Sequence, residues 1–136
     1  MSLSAFEHKF VVSLPNNDRR RNIMKRFAAF LSVLSPLGVV TEIWIDGSFV
    51  TAKETPDDID VVVFFSESSV NDLDAVKQSR LRYLGANPEA SKIRFMTDVR
   101  FAPDSDQGLR SYWRGWFGYN RNEEPKGFIR LVEENM

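Results

Sequence analysis

The sequence predicts an α/β (α+β) fold, a small mixed sheet with flanking helices. Three observations carry that expectation. Apolar residues recur at helical spacing between residues 17 and 38. Two short β-branched runs, 39–45 and 59–65, read as strands. Stretches rich in Gly, Pro, Ser and Asp separate these segments.

In "NDRRRNIMKRFAAFLSVLSPLG" the apolar positions are Ile23, Phe27, Phe30, Leu31 and Leu34, one stripe of a helix. Asn17 or Asp18 caps its start, and Pro36 and Gly38 stop it. "VVTEIWI" (Val39 to Ile45) is a strand, and "IDVVVFF" (Ile59 to Phe65) suits an interior strand covered on both faces. "SSVNDLDAVKQSRLRYLG" is predicted as one helix with a Ser cap, apolar Leu73, Val76, Leu81 and Leu84, and Gly85 beyond its end. "SKIRFMTDVRFA" alternates, which predicts a third strand with Ile93, Phe95, Thr97 and Val99 on one side and Arg94, Met96, Asp98 and Arg100 on the other. "DQGLRSYWRGWFGY" reads as a short aromatic helix or loop, and "KGFIRLVE" as a last strand or the start of a short helix.

Composition narrows the function classes. A length of 136 residues points to a single domain, 1–136, and 11 Phe with 3 Trp can fill its interior. With 18 basic and 19 acidic residues, overall charge does not mark a general nucleic-acid binder, although a local patch remains open. The absence of Cys excludes disulfides, thiolate metal sites and a Cys nucleophile, and fits a reducing compartment. No apolar run approaches the roughly 20 residues that cross a bilayer. "MSLSAFEHKF" lacks the basic flank and apolar core of a signal peptide, so a cytoplasmic protein without membrane partners is expected.

The chemistry concentrates in "WIDGSFVTAKETPDDIDVVVFF". Alternate strand residues share a face, so Asp58 and Asp60 point the same way and Ile59 points into the core. Two close carboxylates repel unless a positive charge lies between them, and Mg²⁺ takes oxygen ligands. Gly47 lets a backbone approach a ligand closely, a turn there directs N–H groups outward, and the Ser48 hydroxyl adds a donor. Lys53 supplies a further charge for phosphates. Together these residues describe a site for a nucleoside triphosphate.

"GSFVTAKETPDDID" resembles the signature of the DNA polymerase β-like nucleotidyltransferase superfamily: Gly-Ser, a variable stretch, then Asp-x-Asp at a strand start. The order of elements from Asp18 to Ala102 is similar to that family as well, and the tail "YWRGWFGYNRNEEPKGFIRL" resembles a group of small, single-domain bacterial members. The resemblance implies a third carboxylate from a later strand, matched here by Asp98 in "FMTDVRF". It implies that Asp58, Asp60 and Asp98 bind Mg²⁺ or Mn²⁺ and are catalytic, Asp98 completing the second metal site or acting as base. Gly47 and Ser48, with Lys53, then grip the phosphates of the nucleoside triphosphate, ATP first among donors. The chain departs from the family where Ala-Arg-Gly commonly follows Gly-Ser; Val50, Thr51, Ala52 and Lys53 stand there instead.

The implied activity is transfer of a nucleoside monophosphate to an acceptor hydroxyl. Small members of the family modify a partner protein in a toxin–antitoxin or phage-defence setting, and the shortness of this chain favours that acceptor. Two alternatives stand beside it: a non-catalytic nucleotide- or protein-binding module, and a toxin that extends the 3′ end of tRNA. Asp57 reads as a turn residue and Asp46 as a strand-end residue. Arg19, Arg20, Arg21, Lys25 and Arg26 read as a solvated helix face, with RNA or an acidic partner as the sharper alternative. Tyr112, Trp113, Trp116, Phe117 and Tyr119, interleaved with Arg110, Arg114 and Arg121, read as core or interface, and His8 as a surface or packing residue.

Overall fold

Among the described residues, seven helical segments and four strands make a mixed α+β fold. The structure, a computed structural model, describes residues 1–12, 18–46, 49, 56–108 and 129–132. In chain order these are α1 (Leu3–Glu7) running into a π-helical turn (His8–Val12), α2 (Asp18–Leu34) closing on a 3₁₀ turn (Ser35–Leu37), β1 (Val40–Asp46) and β2 (Ile59–Phe65). Then come α3 (Glu67–Asn71), α4 (Ala75–Ala86), α5 (Pro88–Phe95), β3 (Thr97–Pro103) and β4 (Ile129–Val132). No described helix is long and apolar enough to cross a membrane.

The sheet order is β3-β2-β1-β4. β1 runs antiparallel to both β2 and β4, whereas β3 is parallel to β2. A parallel neighbour needs a crossover, and α3, α4 and α5 supply it. One face of the sheet, with Ile43, Ile45, Ile59, Val61, Val63, Val99 and Leu131, joins the helices in the main core. α2 brings Ile23, Phe27, Phe30 and Leu34 to it along one stripe. Phe6, buried from α1, lies 5.8 Å from the ring of Phe49 and 5.0 Å from that of Phe10. Each such side chain contributes about 1.5–3 kcal/mol through burial.

Four local departures from the sequence expectations have physical causes. Residues 91–95 are helical, not the first half of a strand: Pro88 opens α5, Glu89 sits in its first turn, and Lys92 and Arg94 in its last, all favourable to the helix dipole. Met96, at φ 50, takes the left-handed conformation that ends the helix, and β3 starts at Thr97. The predicted second helix is two helices. Ser66 caps α3 through the Ser69 amide and Asp74 caps α4 through the Lys77 amide at 2.8 Å. Gly85 lies inside α4 and not beyond its end, and Val76 is exposed instead of facing the core.

The fourth departure is Arg20, which is fully buried and not part of a solvated face. The last element is a strand, β4, paired to β1. Asn17, the aromatic residues Tyr112, Trp113, Trp116, Phe117 and Tyr119, and the neighbouring Arg110, Arg114 and Arg121 lie outside the described residues. His8 is exposed.

The helical assignment of residues 88–95 can be tested by two substitutions. Ile93 is 78% exposed, so Ile93→Lys should change unfolding free energy by no more than about 0.5 kcal/mol. Phe95, buried against Phe30 with ring centroids 5.6 Å apart, should cost about 3–5 kcal/mol on truncation to Ala. Urea unfolding of the three proteins distinguishes this from a strand placing both side chains on one buried face.

Candidate metal centre

β2 lies between two other strands, and its alternation sets the site. Ile59, Val61 and Val63 enter the helix-covered core, so Asp60, Val62 and Phe64 turn to the opposite face. Strand register then lines side chains up in rows. Asp46, Asp60 and Asp98 are partners across β1, β2 and β3; Trp44, Val62 and Arg100 make the next row, and Glu42, Phe64 and Ala102 the one after. Behind the acidic row, Trp44, Val62, Phe64 and Ala102 form a buried apolar cluster, with the Trp44 and Phe64 rings 4.7 Å apart. The buried Glu42 carboxylate is satisfied there by the Trp44 indole N–H and by Arg130, whose Nε is 2.7 Å away.

Asp58 precedes β2 and shares the side of Asp60. The Ile59 amide between them donates to the Met96 carbonyl at 3.0 Å, which ties the entry of β2 to the α5–β3 junction. The result is convergence. Carboxylate oxygens of Asp58, Asp60 and Asp98 all lie within 4.8 Å of one another. Oxygens on opposite sides of a cation with bonds of roughly 2.0–2.6 Å are about 4–5 Å apart, so the three acids already stand at ligand spacing.

Their electrostatics agree with that spacing. Asp60 is pushed up to about 7, first by burial and then by Asp58, Asp98 and Asp46. Asp58 is also raised, by burial above all; Asp98 adds to the shift and Lys92 opposes it. Two cations answer part of the negative charge. Lys92 Nζ lies 3.5 Å from Asp58, and Arg100 donates to Asp98 at 2.8 Å. Both cations are about half exposed, at 56% and 51%, so water screens these pairs and a buried divalent charge would act more strongly.

The structure brings together the three acids that the sequence singled out, and adds two residues. Asp46, read as a strand-end residue, is 5% exposed and raises the pKa of its row partner Asp60. Its signal was its place at the end of β1, which antiparallel pairing brings to the start of β2, opposite Asp60. Lys92 was hidden by the strand reading of residues 91–95; Pro88 at a helix start was the available clue. Asp57 is exposed, in keeping with a turn residue. Gly47, Ser48 and Lys53 lie outside the described residues.

A family model described as "Family of unknown function (DUF6932)" matches residues 1–132. No curated protein and no solved structure matches the chain.

The raised Asp60 makes stability depend on pH with a definite sign. Its proton is held more tightly in the folded state, so its contribution is complete below about pH 4 and is lost as pH rises through about 7. Above both values the loss is up to on the order of 4 kcal/mol. Asp60→Asn keeps the neutral form at every pH. Its stability should match wild type near about pH 4 and exceed it near about pH 8 in chelator, while any gain in melting temperature from Mg²⁺ or Mn²⁺ is abolished. Thermal melts across pH, with and without metal, measure both effects. Removing the neighbouring cation should act oppositely on the metal: Lys92→Met is expected to tighten Mn²⁺ binding by roughly two- to fivefold in calorimetry, the scale of an exposed ion pair.

Proposed function

We propose that this chain, which belongs to the DUF6932 family, is a metal-dependent nucleotidyltransferase that moves a nucleoside monophosphate from a nucleoside triphosphate to an acceptor hydroxyl. The observation that carries the proposal is the meeting of Asp58, Asp60 and Asp98 within 4.8 Å on adjacent elements. The spacing from Gly47-Ser48 to Asp58-Ile59-Asp60 in the sequence supports it.

Asp58, Asp60 and Asp98 would hold Mg²⁺ or Mn²⁺, which when bound neutralises the triphosphate and makes the acceptor hydroxyl more acidic. The acceptor oxygen forms a bond to the α-phosphorus, the bond from that phosphorus to the bridging oxygen breaks, and pyrophosphate leaves. Asp98, at 29% side-chain exposure more open than Asp58 at 17%, receives the hydroxyl proton. Asp60, the centre of the row between Asp46 and Asp98, fixes the relative position of its neighbours. Gly47, Ser48 and Lys53 offer their donors to the β- and γ-phosphates. ATP is the first donor to test, and a partner protein's hydroxyl, in a toxin–antitoxin or phage-defence setting, the first acceptor.

The ion pairs Lys92–Asp58 and Arg100–Asp98 favour a second reading, a non-catalytic module whose acids are compensated by its own cations. One assay separates the two. Each α-labelled triphosphate is incubated with the protein, Mg²⁺ or Mn²⁺, and either total bacterial protein or tRNA. Metal-dependent label on an acceptor is expected, falling by at least about 100-fold in Asp58→Asn and Asp60→Asn. Label on tRNA instead of protein would identify the acceptor as its 3′ end. Equal labelling by wild type and both variants, or none by any of them, rules the transferase out in favour of the module.

A further inference from the structure

We infer that Arg19 and Arg20, neighbours in the first turns of α2, are positioning residues that hold the two ends of the β1–β2 connection and so keep Asp58 against Asp60 and Asp98. The inference rests on the metal-site reading above for its consequence, and on hydrogen bonds of this chain for its geometry.

Successive helix residues point about 100° apart. Here one guanidinium goes inward and the next reaches over the connection. Arg20 is fully buried, donates to the Phe10 carbonyl at 3.0 Å and to the Phe49 carbonyl, and lies with its guanidinium 5.0 Å from the centre of the Phe49 ring. Burial lowers its pKa, yet an arginine stays charged, so its polar contacts matter. Phe49 follows Gly47-Ser48 directly in the chain. Its ring is in turn stacked 5.8 Å from Phe6. Arg19 donates through Nε to the Pro56 carbonyl at 3.0 Å and through a terminal nitrogen to the Asp57 carbonyl at 3.1 Å. These are the two residues immediately before Asp58.

A charged planar donor bound to consecutive carbonyls fixes the backbone in both position and direction. That has a purpose at this place. Asp58 carries like charge toward Asp98, and Asp57 adds to it, so repulsion drives the segment outward. Among the described residues, Lys92 is the side chain paired with the Asp58 carboxylate, and Lys92 is more than half exposed. Arg19 therefore acts on the backbone where a side-chain counter-ion is weak, and Arg20 anchors the far end of the same connection in the core.

The test uses the full chain. Arg19→Ala removes an exposed side chain and leaves the core intact; Arg20→Met serves as a second variant. Two readouts are taken: ¹⁵N order parameters of the Asp57 and Asp58 amides, and Mn²⁺ affinity by calorimetry. In Arg19→Ala the order parameters should fall from rigid values near ~0.85 to below ~0.6, with β1 and β2 unchanged. Mn²⁺ binding should weaken about 10-fold, the effect of losing an outer support of a metal ligand. Arg19→Lys, which keeps the charge but not the planar two-pronged donor, should recover only part of both losses. Unchanged order parameters in Arg19→Ala overturn the inference, as does a fall in order with Mn²⁺ affinity intact. If wild type binds no Mn²⁺, the metal-site reading fails, and the order parameters of Arg19→Ala and Arg20→Met alone decide whether each arginine positions Asp58, a fall in either supporting its residue and no change overturning it.

Discussion

Like charges do not gather unless a framework holds them, and here the framework is strand register. Asp60 can face Asp98 because β2 and β3 run parallel with Ile59 opposite Thr97, and it can face Asp46 because β1 is antiparallel with Trp44 opposite Val62. A slip of one residue in either pairing would turn the acids into the core and the valines out. The register is secured by burial on both faces: Ile59, Val61 and Val63 lock into the helical side, while Val62 and Phe64 are buried beside Trp44 and Ala102 on the other. The acidic row is thus placed by the apolar rows beside it.

The helices serve that row from outside the sheet. α5 delivers Lys92 to Asp58, and its left-handed end at Met96 turns the chain so that Asp98 falls beside Asp60. The Met96 carbonyl also receives the Ile59 amide, so the same residue ends a helix and begins the β2–β3 ladder. A non-glycine residue at positive φ is unfavourable by roughly 1–2 kcal/mol, and the contacts of α5 with the core through Ser91 and Phe95 oppose that cost. α2 contributes its apolar stripe to the core and its first turns to the β1–β2 connection. Arg26, further along the same helix, donates to the Arg94 carbonyl at 2.9 Å and joins α2 to the end of α5.

What the sequence made legible follows from which forces are local. The stripe of Ile23, Phe27, Phe30 and Leu34 and the run Ile59–Phe65 carry their own periodicity, and both elements stand where that periodicity puts them. Asp58 and Asp60 share a side because of strand geometry alone. Asp98 needed the family resemblance, because its place beside Asp60 depends on a parallel pairing across 38 positions of chain. The misreading of residues 91–95 arose because Ile93 and Phe95 alternate with Lys92 and Arg94 over too short a window to tell a period of two from one of 3.6. The true helical face is Ser91 and Phe95, and a serine is not recognised as a core residue from sequence. Arg20 escaped for the opposite reason. A basic run reads as solvated, and only the tertiary fold brings the carbonyls of Phe10 and Phe49 within reach of its guanidinium.

These positions share a cause. Close to the acidic row residue type and local environment disagree three times: three carboxylates near one another, a buried arginine at the β1–β2 connection, a positive φ at the entrance to β3. Native sequences tolerate such conflicts where function requires them and compensate elsewhere. Compensation here is directional. Phe6, Phe10, Phe27 and Phe49 form an aromatic packing beneath the first turns of α2, on the side from which Arg20 reaches Phe49. That packing therefore supports the connection that leads to Asp58. A cation at the carboxylates would remove the repulsion itself and leave the same packing to stabilise the site, so folding and ion binding would favour each other by linkage.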